Sequence, residues 1–120
     1  MNSLWLKITV IAIIFVAEAL YIFSEILSAK YYSDPESNFF QILGKILIIT
    51  IIGSVLILTG YMLGFRTFKN IWIVSVISIT SILIVEPILA FAIFKQMPTK
   101  GAFLGLVFGA IGFAFTLFWK

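Results

Sequence analysis

Two glutamates stand inside otherwise apolar runs, Glu18 in ITVIAIIFVAEALYIF and Glu86 in SILIVEPILAFAIF. A charged side chain at membrane depth costs about 2.5–3.5 kcal/mol on insertion scales, so an acid there points to function before it points to anything else. Glu18, Tyr21, Glu25 and Ser28 follow a 3-4-3 spacing and share one helical face. Glu18 is near the middle of its run, whereas Glu25 lies about a turn from its end, within reach of headgroups and water. A mid-membrane carboxyl can exchange a proton for a cation. The plain alternative is a protonated Glu18 hydrogen-bonded to a neighbouring helix for packing. Tyr21 sits beside Glu18 and can hydrogen-bond the carboxyl or stack on a cation.

Glu86 is followed by Pro87, which frees the carbonyl of Leu83 and is expected to kink its helix. A membrane segment tolerates such a break when its neighbours re-satisfy the backbone. Ser75, Ser78 and Glu86 fall within one face of an Ile/Val-rich run. Glu86 reads equally as a second proton or substrate group and as a structural acid serving the broken backbone or a basic partner. Downstream, Gly101, Gly105, Gly109 and Gly112 step by four, four and three, a stripe of small residues that lets another backbone approach, within the chain or from a second copy. A looser set, Gly53, Gly60 and Gly64, reads as packing within the chain.

The elements that must position these residues follow from composition. Only 11% of the 120 residues are charged and 62% are hydrophobic, against about 25% charged in a soluble domain. The chain is therefore a membrane protein. Hydropathy gives one all-α domain over residues 1–120, with four transmembrane helices at about 4–29, 39–63, 71–94 and 101–119, each near the ~20 residues a bilayer requires. The first run lacks a basic region ahead of it and outlasts the apolar core of a signal peptide, so it reads as a retained span. Between the runs lie a polar stretch at 30–38, with a turn at Ser33-Asp34-Pro35 and a cap at Ser37 or Asn38, a short basic connector at 64–70, and a loop at 95–100 bounded by Pro98. Trp5, Tyr31, Tyr32, Trp72 and Trp119 read as interface anchors.

With no histidine and no cysteine, thiol chemistry, disulfides and the usual zinc or haem ligands are excluded. No metal and no cofactor are expected, and nothing here assembles a nucleophile–base pair, which argues against an enzyme. The net charge of +3 rests on scattered bases and does not suggest nucleic acid. Four helices place Lys7, Arg66, Lys69 and Lys120 on one side and Lys30, Lys95, Lys100 and Lys45 on the other. That balance predicts a weak orientation preference or insertion both ways round. If Lys45 is counted within the span, a slight termini-inside bias is left.

Glu86-Pro87 late in the third run, a short loop with Gln96 and Pro98, and the glycine-rich 105–115 resemble the closing helix pair of the drug/metabolite transporter superfamily. Four runs in so short a chain, with Ala17-Glu18 mid-way along the first and Pro35 in the next loop, are similar to its small multidrug resistance branch. The likeness covers the whole chain in layout and the last third in motif. It implies a prokaryotic inner membrane, paired homodimers in one or both orientations, a central site built from two copies of Glu18, and the fourth helix as a dimer contact. There are departures: Ala19, Leu20, Tyr21 and Ile22 follow Glu18 where the exporters carry small residues and then a lysine, and Ser75, Ser78 and Ser81 replace their aromatic signature. The Glu-Pro pair is closer to the larger metabolite exporters and to four-helix flippase subunits. The leading expectation is a proton-coupled exporter of small cationic or amphipathic solutes. The alternatives are a four-helix subunit, paired with another, that translocates a lipid-linked carrier, and a non-transporting membrane scaffold or regulator.

Overall fold

A computed structural model describes residues 2–119 and consists of four helices: α1 (Asn2–Tyr32), α2 (Phe39–Phe68), α3 (Ile71–Phe94) and α4 (Lys100–Phe118). Lys120, one of the bases in the orientation count, lies outside the described residues. The first three helices are long and apolar enough to cross a membrane. At 1.5 Å per residue α1 and α2 reach about 45 Å and α3 about 36 Å, more than the ~30 Å of a hydrocarbon core. The fourth is short, about 28 Å along its axis. The arrangement is wider than it is thick, 53 × 34 × 18 Å, because α1 lies against both α2 and α3 while, among the described residues, α4 touches α3 alone.

Side-chain caps set most of the boundaries. The Asn38 Oδ1 accepts from the backbone N–H groups of Phe40 (3.0 Å) and Gln41 (3.3 Å), so of the two expected caps Asn38 begins α2, while Ser37 Oγ donates to the Asp34 carbonyl. The Asn70 Oδ1 accepts from Trp72 N–H at 2.9 Å and the Thr99 Oγ1 from Ala102 N–H at 3.1 Å. Each supplies an acceptor to the orphan donors of a first helical turn. Two helices end on a lysine in the left-handed region, Lys69 (φ 57°) and Lys95 (φ 59°), whose N–H groups close back onto Phe65 and Phe91 at 2.8 Å. The Lys30 ammonium adds a 2.8 Å hydrogen bond to the Ile93 carbonyl in the last turn of α3, where the helix dipole favours a cation.

Two boundaries differ from the sequence reading. Residues 30–32 continue α1, and 64–68 continue α2 rather than forming a connector. Gly64 is not a helix stop: a Cβ there would lie 3.0 Å from Val74 and 3.2 Å from Val10. Its missing side chain admits α1 and α3, and the linker shrinks to Lys69 and Asn70. Likewise α3 runs through Pro87 without interruption.

The seam between α1 and α2 is built on small residues. Lipid tails are as apolar as leucine, so helix association in a bilayer relies on close contact rather than on escape from water. A Cβ on Gly60 would meet Ile14 Cγ1 at 2.7 Å and Ile13 Cγ2 at 3.3 Å, and one on Gly53 would reach the Ala17 carbonyl at 3.7 Å. Val10, Ile14 and Val74 form the fully buried centre, with Ile57, Tyr61, Phe68 and Ile77 around it. By contrast, a Cβ on Gly101 or Gly105 of α4 meets nothing within 4 Å, and one on Gly109 meets only Leu83 at 3.7 Å. Gly53, Gly60 and Gly64 of α2 are consumed inside the chain, as their spacing suggested. The α4 stripe is largely left over.

The exposed tryptophan and tyrosine rings lie at the helix ends. Trp5, Trp72 and Trp119 mark the end where α1 and α3 begin, and Tyr31 and Tyr32 the opposite one, the placement that amphipathic rings take at membrane–water interfaces.

Candidate functional site

Glu18 is the one acid that the fold buries among the described residues, at 9% exposure. It follows Val10, Ile14 and Ala17 down the face of α1 that meets α2 and α3, so the contacts that fix the helix pair also fix the carboxyl. The Ser78 hydroxyl of α3, itself 5% exposed, is a polar neighbour of the Glu18 carboxyl. A buried carboxyl without a partner would cost several kcal/mol, and one hydroxyl offsets part of that. The pair brings together residues 60 positions apart in the chain at about the middle of α1. The carboxyl can take and release a proton there while keeping a fixed neighbour.

The other expected members of the site are distributed differently. Tyr21 reaches α2, where its hydroxyl is hydrogen-bonded to Ser54 Oγ, so it closes the α1–α2 seam next to the acid. Ser54 was not singled out from the sequence, and the only signal for it was its place beside Gly53. Ser75 is half-buried one turn before Ser78. Ser24 and Ser81 are buried, but each donates to the carbonyl four residues earlier on its own helix, Leu20 and Ile77, at 2.8 Å. Glu25 is exposed further along α1. Ser28 donates to the Glu25 carbonyl.

Glu86 does not join Glu18. Eight residues separate it from Ser78, about 12 Å along the axis and about 80° around it, so the expected shared polar face of α3 is divided. Ser78 faces α1, whereas Glu86 is exposed and lines a crevice of about 590 Å³ between the second half of α3 and the start of α4. Pro87, Ala90, Phe91, Gln96, Ala102 and Gly105 are among its other lining residues. Among the described residues no group of three or more acids could hold a metal ion.

Comparison with protein families, with curated proteins and with solved structures finds no match to this chain.

Proposed function

We propose that the chain is a secondary transporter, a proton-coupled exporter of small cationic or amphipathic solutes, with Glu18 as the coupling acid. The observation that carries this reading is the Glu18 carboxyl, buried half-way along an apolar helix with the buried Ser78 of α3 as a polar neighbour. A packing acid would serve equally well as a leucine, whereas a coupling acid must be ionisable, and retention of so costly a group favours the second. Four crossings, with α4 completing the set, would place both termini on one side. A homodimer would bring two Glu18 groups to a midplane site, as transporters do at the interface of two repeats. Two such acids titrate as a coupled pair with two macroscopic steps. A Cβ on Gly101 or Gly105 would meet nothing within 4 Å, and the open surface of α4 is where that second copy would approach.

Electrogenic uptake of guanidinium, quaternary ammonium and polyamine panels into liposomes tests this. Wild-type current with guanidinium that is abolished in Glu18→Gln and retained in Glu86→Gln supports the exchanger and places its coupling on α1. Silence of wild type and both variants, each shown to be folded, overturns it.

A further inference from the structure

Glu86 presents a physical problem that Glu18 does not. It lies eight residues, about 12 Å, inside the C-terminal end of α3, too deep for its short side chain to reach headgroups. It is exposed rather than buried against another helix. The crevice it lines contains no lysine and no arginine. The polar side chains that line it are Glu86, Gln96 and Thr99, and of these only Glu86 is ionisable, as an acid. Much of the remaining wall is apolar, with Pro87, Ala90, Phe91, Phe94, Met97 and Leu106 among it. An apolar cleft with one fixed charge is the usual form of a small-molecule site, and about 590 Å³ falls within the ~300–1,000 Å³ that holds one drug-sized ligand.

We infer that the α3–α4 crevice is a binding site for a single-tailed amphiphilic cation, an alkylammonium whose charged head sits on Glu86 and whose chain lies along Phe91, Phe94 and Leu106. Charge complementarity selects the head, because an anion or a zwitterion would bring a negative group against the carboxylate. The volume selects one chain over the two of a phospholipid. Because α4 is held by α3 alone, the crevice is reached sideways from the bilayer, where such a molecule partitions. The site is separate from Glu18, and the inference stands whether or not the protein couples protons to transport.

Equilibrium binding of radiolabelled dodecyltrimethylammonium to the full chain in phosphatidylcholine nanodiscs tests it, with dodecanol as the uncharged control. In a Glu18→Gln background, which takes the other acid out of the measurement, the cation should still bind saturably, and adding Glu86→Gln should weaken it tenfold or more. Glu86→Asp should recover most of the loss. Dodecanol should bind wild type and Glu86→Gln alike. Ala102→Leu, which fills the crevice and leaves the carboxylate in place, should weaken both ligands, with circular dichroism confirming the helical content of each variant. Cation affinity that stays within twofold of Glu18→Gln when Glu86→Gln is added overturns the inference. So does complete loss of saturable binding in Glu18→Gln alone, since it would leave no ammonium on Glu86.

Discussion

Gly60→Ala is the substitution whose cost the structure defines most directly. The added methyl would stand 2.7 Å from Ile14 Cγ1 and 3.3 Å from Ile13 Cγ2. Carbon atoms pack best at about 3.5–4.0 Å, so roughly 1 Å of separation must be found at the first contact. Ile14 is fully buried, and its Cγ1 is not the free end of the side chain, so the room has to come from parting α1 and α2. Overpacking of this kind costs about 1–3 kcal/mol, which multiplies the unfolded fraction by about 5 or more. Denaturation in mixed micelles, followed by circular dichroism, reads that change directly. Gly105→Ala is the matched control: the same substitution in a membrane helix, at a position where the new Cβ meets nothing within 4 Å. It should be neutral or stabilising by up to about 1 kcal/mol, because alanine is the better helix former. Adding Ile14→Ala to Gly60→Ala should cost less than the sum of the two single changes, since the clashing atom is gone. Equal stability of Gly60→Ala and Gly105→Ala would refute the close α1–α2 seam, and with it the burial of Glu18 on the same face.

Other consequences are checked with the same unfolding assay. Ser78→Ala leaves the buried Glu18 carboxyl without its α3 partner and should destabilise by about 1–3 kcal/mol. In a Glu18→Leu background, where no carboxyl remains to be left unpaired, the same change should cost much less. Asn38→Ala removes the acceptor for two N–H groups at the start of α2 and should cost about 0.5–2 kcal/mol. Lys95→Gly relieves a left-handed backbone at φ 59° and should stabilise by on the order of 1 kcal/mol. The same change at Lys69 should act alike.

The helices were legible because hydropathy needs only composition along the chain, and three of the four runs have the length that a crossing demands. What misled was glycine. Gly64, followed by Arg66 and Lys69, has the look of a turn, yet Gly64 is there to admit Val10 and Val74, and the turn comes five residues later at a left-handed lysine. Spacing alone likewise leaves open which glycine stripe is used inside the chain. The neighbours decide that, and they put Gly53, Gly60 and Gly64 against α1 while leaving Gly101 and Gly105 bare. The polar face drawn through Ser75, Ser78 and Glu86 failed for a related reason. In a helix that is apolar all round, the pattern carries almost no phase, and a few polar residues within a wide arc can serve two different neighbours.

That division gives α3 its place in the molecule. On one side it supplies the Ser78 hydroxyl to the buried acid of α1, and on the other it carries Glu86 toward α4. The two positions are about 12 Å apart along one continuous helix, with Val85 buried between them. The flanking contacts are unequal. The side facing α1 carries Val74 and Ser78, both buried, whereas among the described residues of α4 none is buried. Filling the α3–α4 crevice should therefore displace α4 and leave the Glu18–Ser78 pair in place. Ala102→Leu accordingly should alter the stability cost of Ser78→Ala by no more than about 0.5 kcal/mol, the additivity expected of sites without shared partners. A larger interaction energy in that double-mutant cycle would mean that the two faces of α3 are coupled and that the acids of this protein act together.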